Sequence, residues 1–212
     1  SQCSNESKQD TLLSMSIDLN NDKNKIVRDL AISPDIIGPV SHYLGSVPII
    51  FGSYVWFSPN DKKISLLGSQ LFHFDREDIK QIKCFIPIED IDEQSGPLNV
   101  MPAKYTQKFM QYRKDNKQDL SLKQRFTDEE VFNVVGKDKV VKMTGKMGDV
   151  VFVDTTNCLH YGSRYASKPK YHITLHYISA FSRKLYNQNA KILKTDFNQN
   201  SNLEEMLFEI KR

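Results

Sequence analysis

The sequence predicts a mainly β fold, a sandwich or jelly roll with flanking helices. Three observations carry this. Short runs rich in β-branched and aromatic residues recur along the chain, with turn residues between them. Helical periodicity is confined to a few segments around that strand set. No internal repeat or compositional break marks a second domain, and 212 residues at 39% hydrophobic content suffice for one sizeable core.

The elements follow in order. Residues 1–22 are rich in Ser, Asn, Asp and Gln and read as a polar, flexible leader. Ile26, Val27, Leu30 and Ile32 keep helical spacing, and Ile36, Ile37 and Val40 resume it after Pro34. The run 47–57 reads as a strand and 58–61 as a turn. Further strands are expected near 64–74, 80–88 and 96–101. Ala103 to Lys117 reads as a helix. Thr127-Asp-Glu-Glu130 reads as a helix start, with acidic groups at the positive end of the dipole. Strands at 140–143, 150–153 and 170–179 complete the set, and 203–210 reads as an amphipathic helix in a helical tail over 185–212. The expectation is one domain over 23–212 with its β core at about 46–180.

Composition excludes several classes. A net charge of +3 is too weakly basic to argue for nucleic acid. No stretch approaches the roughly 18 apolar residues of a membrane span, and the polar opening has no apolar signal core. Three cysteines (Cys3, Cys84 and Cys158) read as reduced thiols in a cytoplasmic protein, with Cys84 a small core residue.

The sharpest local feature is Leu71-Phe-His-Phe-Asp75. Residues two apart on a strand share a face, so His73 and Asp75 project into one space. Two imidazoles and one carboxylate on one side of a metal make the facial triad of non-haem Fe(II) oxygenases, with the other positions left open. The tripeptide alone is weak, because a surface strand end carries it harmlessly. Gly148-Asp149 opens a buried strand that ends near His160, the best third ligand among five histidines. His172 and His176 on the next strand are the competitors, and His42, in a helix–strand connection, reads as structural or solvated.

The strand 170–178 alternates. Lys170, His172, Thr174 and His176 share one face, and Tyr171, Ile173, Leu175 and Tyr177 the other. On most sheets the polar face meets water. In a barrel-like oxygenase it lines the reaction cavity instead. A buried dicarboxylate needs a fixed cation at its far end. Lys170 is placed for that role, with Thr174 beside it on the same face. Arg164 competes, and Lys83 either supports the same ligand from its own strand or snorkels to the surface. Thr155, Thr156 and Asn157 read as donors that orient His160 or as turn residues. Trp56 reads as core.

These blocks together, His73-Phe-Asp75, Lys83-Cys-Phe-Ile-Pro-Ile-Glu-Asp-Ile-Asp92, Ser95-Gly-Pro-Leu-Asn-Val100, Gly148-Asp149, His160 and Lys170, resemble the phytanoyl-CoA dioxygenase family over roughly 64–180. The resemblance implies a cupin-like double-stranded β-helix (jelly roll). It also implies Fe(II), 2-oxoglutarate and O2, with hydroxylation of a C–H bond in a small organic metabolite and release of succinate and CO2. The family usually places an arginine where Lys170 stands, and a Gly-Ser-His after the Gly-Pro block where this chain reads Val100-Met-Pro-Ala-Lys-Tyr105. Related halogenases lack the carboxylate ligand, so Asp75 argues for hydroxylation. The alternative is a jelly-roll protein that binds a metal or small ligand without turnover. Neither a nucleic-acid nor a membrane partner is expected, and the oligomeric state and substrate are not legible.

Overall fold

The computed structural model describes residues 13–59, 68–118 and 125–182. Among these described residues ten strands form two five-stranded sheets. The major sheet has the order β1 (Leu13–Ser16), β2 (Pro48–Ser58), β10 (Lys170–Ser179), β4 (Gln81–Pro87) and β8 (Val151–Val153). The minor sheet has the order β6 (Arg125–Phe126), β3 (Phe72–His73), β9 (His160–Tyr161), β5 (Leu98–Val100) and β7 (Val141–Met143). From β2 to β5 the chain crosses to the other sheet at every step, and it does so again from β7 to β10. This crossing topology is the jelly roll.

Two apolar clusters sit on the outer faces. Helices α1 (Lys25–Ala31) and α2 (Pro34–Leu44) cover the major sheet. Ala31, Ile36, Ile37 and Val40 pack there against Ile50, Ile82, Cys84, Leu175 and Tyr177. The Tyr177 hydroxyl donates to the Ala31 carbonyl at 2.7 Å, which satisfies a phenol buried among hydrocarbon. Helices α3 (Ala103–Asp115) and α4 (Asp128–Val135) cover the minor sheet, where Phe109, Val131 and Val135 meet Phe72, Phe126 and Leu159. Thr127 caps α4 in a reciprocal box with Glu130, the arrangement expected from Thr127-Asp-Glu-Glu130.

With apolar faces turned outward to the helices, the polar face of β10 turns inward. Lys170 and Thr174 are 4% and 2% exposed. The usual polar-out arrangement is reversed because each sheet already has a helical layer to bury its apolar side.

Several expectations need correction. Residues 13–22 do not continue a leader. β1 pairs antiparallel with β2, Leu13 opposite Phe57, and Ile17 and Leu19 are buried. Backbone pairing at a sheet edge, which polar side chains do not prevent, decides this. The expected strand near 64–74 is seen at Phe72–His73, and the tail helix at 203–210 lies outside the described residues. Strands β6 and β9, of two residues each, are too short for a period-2 signal. Among the described residues no helix is long and apolar enough to cross a membrane.

One glycine is required by the fold around the cavity. Gly96 ends a one-turn 3-10 helix with φ of 60°, and a Cβ there would stand 3.0 Å from the Arg164 carbonyl oxygen. Gly96→Ala is expected to lower stability by about 1–2 kcal/mol or more, read by urea unfolding, because it adds left-handed strain to a steric contact.

Candidate active site

His73 and His160 are direct cross-strand partners on β3 and β9, with ring centroids 4.3 Å apart. Opposed residues of an antiparallel pair project from the same face, so both imidazoles point into the space between the sheets. Asp75 follows two residues after His73 and is pinned by its backbone N–H, which donates to the Thr155 carbonyl at 3.0 Å. One donor atom from each of the three lies within 4.8 Å of the others, a spacing a single metal ion can bridge.

The ring nitrogens are already sorted. His73 Nδ1 lies 2.8 Å from the Leu71 carbonyl and His160 Nδ1 lies 2.9 Å from the Cys158 carbonyl. A carbonyl only accepts, so each Nδ1 carries the proton and each Nε2 keeps its lone pair for a metal. Burial, and then the neighbouring His73, push the His160 imidazolium down to about 4. Burial likewise lowers His73. Burial alone would raise the Asp75 carboxyl, but Lys83, His160 and a hydrogen bond from Thr155 outweigh it and hold the group well below the usual carboxylate range. The set is two neutral imidazoles and one carboxylate at neutral pH, the donor chemistry that suits Fe(II).

A buried polar chain stands behind Asp75. Thr155 bonds the carboxylate. The Gln81 amide donates to Thr155 Oγ1 at 2.9 Å and its carbonyl lies 3.0 Å from His176 Nε2. His176 thus supports the carboxylate from a distance. Thr155 acts on Asp75 rather than on His160, whose Nδ1 partner is the Cys158 carbonyl, while the neighbouring Thr156 and Asn157 N–H groups close a turn on the Asp154 carboxylate.

The triad lies in a cavity of about 190 Å³ between the sheets, also lined by Tyr54, Trp56, Lys83, Phe85, Lys170, His172 and Thr174. Trp56 is therefore a wall residue of the cavity. The three candidate cations differ sharply. Lys170 heads β10, and its ammonium donates to the Gly96 carbonyl, to the Ser95 carbonyl at 3.2 Å and to Ser163 Oγ at 3.4 Å. Those partners are neutral. Burial pushes the group down to about 8, which still leaves it mostly charged at pH 7. Thr174 Oγ1 and His172 Nδ1 are buried without a hydrogen-bond partner among the described residues. Lys83 faces the cavity and does not snorkel outward; it pairs with Asp75 at 2.7 Å.

Arg164 is turned away. One guanidinium nitrogen reaches both Asp128 carboxylate oxygens, at 2.7 and 2.8 Å, and the guanidinium lies 3.6 Å over the Tyr161 ring. Its role here is to tie the segment after β9 to the start of α4, and it is not among the residues lining the cavity. Ser163 and Tyr165, on either side of it, both adopt left-handed φ, 56° and 55°. That turn aims Ser163 at Lys170 and Arg164 outward. The Ser95-Gly-Pro block likewise has a role that its sequence does not state: its carbonyls cradle Lys170.

No protein-family model matches the chain, and no curated protein matches it. Solved structures do. EctD from S. alaskensis, with 2-oxoglutarate and 5-hydroxyectoine, superposes with a TM-score of 0.55 at 16% identity, over 84% of this chain and 63% of EctD. HygX from Streptomyces hygroscopicus, with nickel and 2-oxoglutarate, gives 0.54 at 14% over 81% and 71%. EvdO2 from Micromonospora carbonacea var. aurantiaca gives 0.53 at 15% over 82% and 70%. The chain spans less than two thirds of EctD's length. At these identities the likeness shows the shared fold, the jelly roll.

Two predictions test the site. Thr155→Val is expected to weaken metal binding roughly tenfold, measured by Co(II) titration, because the carboxylate loses its orienting donor. The second concerns pH. Burial pushes His172 down to about 3 and His160 to about 4, below the ordinary 6.5 of an unfolded chain. The unfolded state then binds more protons, so stability is full above about 6.5 and is lost as pH falls toward 4. Urea unfolding of metal-free protein between pH 7 and 5 should lose up to about 1.4 kcal/mol per pH unit for each of these histidines.

Proposed function

We propose that this protein is a non-haem Fe(II)- and 2-oxoglutarate-dependent oxygenase that hydroxylates a C–H bond of a small organic molecule. The observation that carries this is the joint presence, in one cavity, of a His-Asp-His set and a buried lysine with only neutral partners. His73, Asp75 and His160 would hold the iron through Nε2, carboxylate and Nε2. Bound iron and 2-oxoglutarate supply the oxidising chemistry, coupling decarboxylation to succinate with oxidation of the substrate by O2.

The remaining roles belong to the chain. Lys170 binds the far carboxylate of 2-oxoglutarate, a single-point contact where arginine would make a fork. Thr174 and His172 offer the same ligand their free polar atoms, whose burial without a partner would otherwise carry a cost. Tyr54, Trp56, Phe85, Ile91, Leu98 and Met143 make the other walls apolar, which suits an uncharged organic substrate and excludes water. The carboxylate ligand Asp75 fills the position a halide would need, which favours hydroxylation. Support comes from the resemblance to the phytanoyl-CoA dioxygenase family and from fold neighbours crystallised with 2-oxoglutarate; HygX was also crystallised with hygromycin B.

Anaerobic addition of Fe(II) and 2-oxoglutarate should produce a visible charge-transfer band. No band from folded protein would sink this reading, and a band without succinate release in air would favour a binding protein that does not turn over. Lys170→Ala should weaken 2-oxoglutarate binding by at least tenfold while sparing the metal, on the order of one charged contact. In wild type the same affinity should fall as pH rises through about 8, where the ammonium loses its charge.

A further inference from the structure

Lys83 stands where the metal's charge would be felt most. It sits in mid-sheet on β4, opposite His176 on one side and Val153 on the other, and its side chain enters the cavity. Its ammonium lies 2.7 Å from Asp75 Oδ2, and that same oxygen lies 3.5 Å from His160 Nε2. The lysine therefore holds the oxygen that faces the imidazoles. Both side chains are about four-fifths shielded from solvent, at 21% and 17% exposure, so salt screens the pair little. A dipositive ion bound to that oxygen would lie within a few ångströms of a like charge, and both cannot be accommodated without one moving. A lysine stem has the freedom to move, whereas His73 and His160 are carried on paired strands and the Asp75 backbone, just past the end of β3, is pinned to Thr155.

After such a displacement Lys83 has no second anion in reach among the lining side chains. Asp75 is the only acidic residue among the described residues that line the cavity. The next anion must arrive with the ligand. We propose that Lys83 is a tethered counter-ion: it neutralises Asp75 in the metal-free protein, gives way to the metal, and then receives the metal-proximal carboxylate of a chelating 2-oxo acid. Lys83 and Lys170 would thus take the two ends of one dicarboxylate. This inference rests on the iron and 2-oxoglutarate reading above, and it makes metal and cosubstrate binding mutually reinforcing in a way that depends on one side chain.

The test is calorimetric titration with Co(II), with and without 2-oxoglutarate, on wild type, Lys83→Met and Lys83→Gln, each first checked for a cooperative thermal transition. Both neutral variants should bind Co(II) alone roughly tenfold more tightly than wild type, since they remove the competing charge. Both should also lose most of the tightening that 2-oxoglutarate gives to Co(II) in wild type. A purely structural lysine would not raise metal affinity when removed. Equal or weaker Co(II) binding by the folded variants overturns the counter-ion role, and unchanged tightening by 2-oxoglutarate overturns the carboxylate role. Using two variants guards against one that fails to fold. If wild type itself fails to bind Co(II), or binds it undiminished after His160→Ala, the underlying metal reading fails as well, which separates the two failures.

Discussion

The pairing of His73 with His160 across β3 and β9 is the contact on which the rest of the architecture depends. It joins residues far apart in sequence through strands of two residues each. Strands that short hold their register only because their neighbours hold it for them. Phe72 and Leu159, next to the two histidines, are fully buried against α3 and α4, so slipping the register by one would move them into the cavity. The apolar layer outside the minor sheet thus fixes the direction of the imidazoles inside it. The main-chain carbonyls of Leu71 and Cys158 then set their tautomers.

The same division between an apolar outside and a polar inside explains why this barrel tolerates so many buried polar groups. Lys170, Gln81, Thr155 and His176 are nearly solvent-free, and each has hydrogen-bond partners. Among the residues that line the cavity, His172 Nδ1 and Thr174 Oγ1 are buried without a partner, and there a ligand rather than the protein would supply one. Every polar side chain in the relay behind Asp75 is paired, whereas two atoms on the cavity face of β10 are not, the pattern expected where a ligand supplies the missing partner.

Much of this was legible in the sequence, for physical reasons that differ by element. The long strand at 170–179 announces itself by alternation, and Thr127 to Glu130 by capping chemistry. His73 and Asp75 could be read as sharing a face because a strand has a period of two. What alternation could not reveal was which face is inward, since that depends on helices packed elsewhere in the chain. The pairing of β1 depends on backbone hydrogen bonds, to which polar side chains are indifferent. Lys170 could be preferred from its place on the polar strand face, with Arg164, nearer His160 in sequence, as its competitor; the left-handed turn at Ser163 and Tyr165, which turns Arg164 away, leaves no such trace. Lys83 could be weighed as cavity-facing or snorkelling, but its contact with Asp75 is tertiary and leaves no local trace.

Every role assigned to the cavity requires one metal ion between His73 on β3, His160 on β9 and Asp75. Anomalous scattering at the iron edge from crystals loaded anaerobically with Fe(II) and 2-oxoglutarate measures this directly. A single strong peak is expected at roughly 2.0–2.2 Å from Nε2 of His73, Nε2 of His160 and a carboxylate oxygen of Asp75, the ordinary metal–ligand distances. A peak bound by other residues, or none in crystals of folded protein, would contradict it.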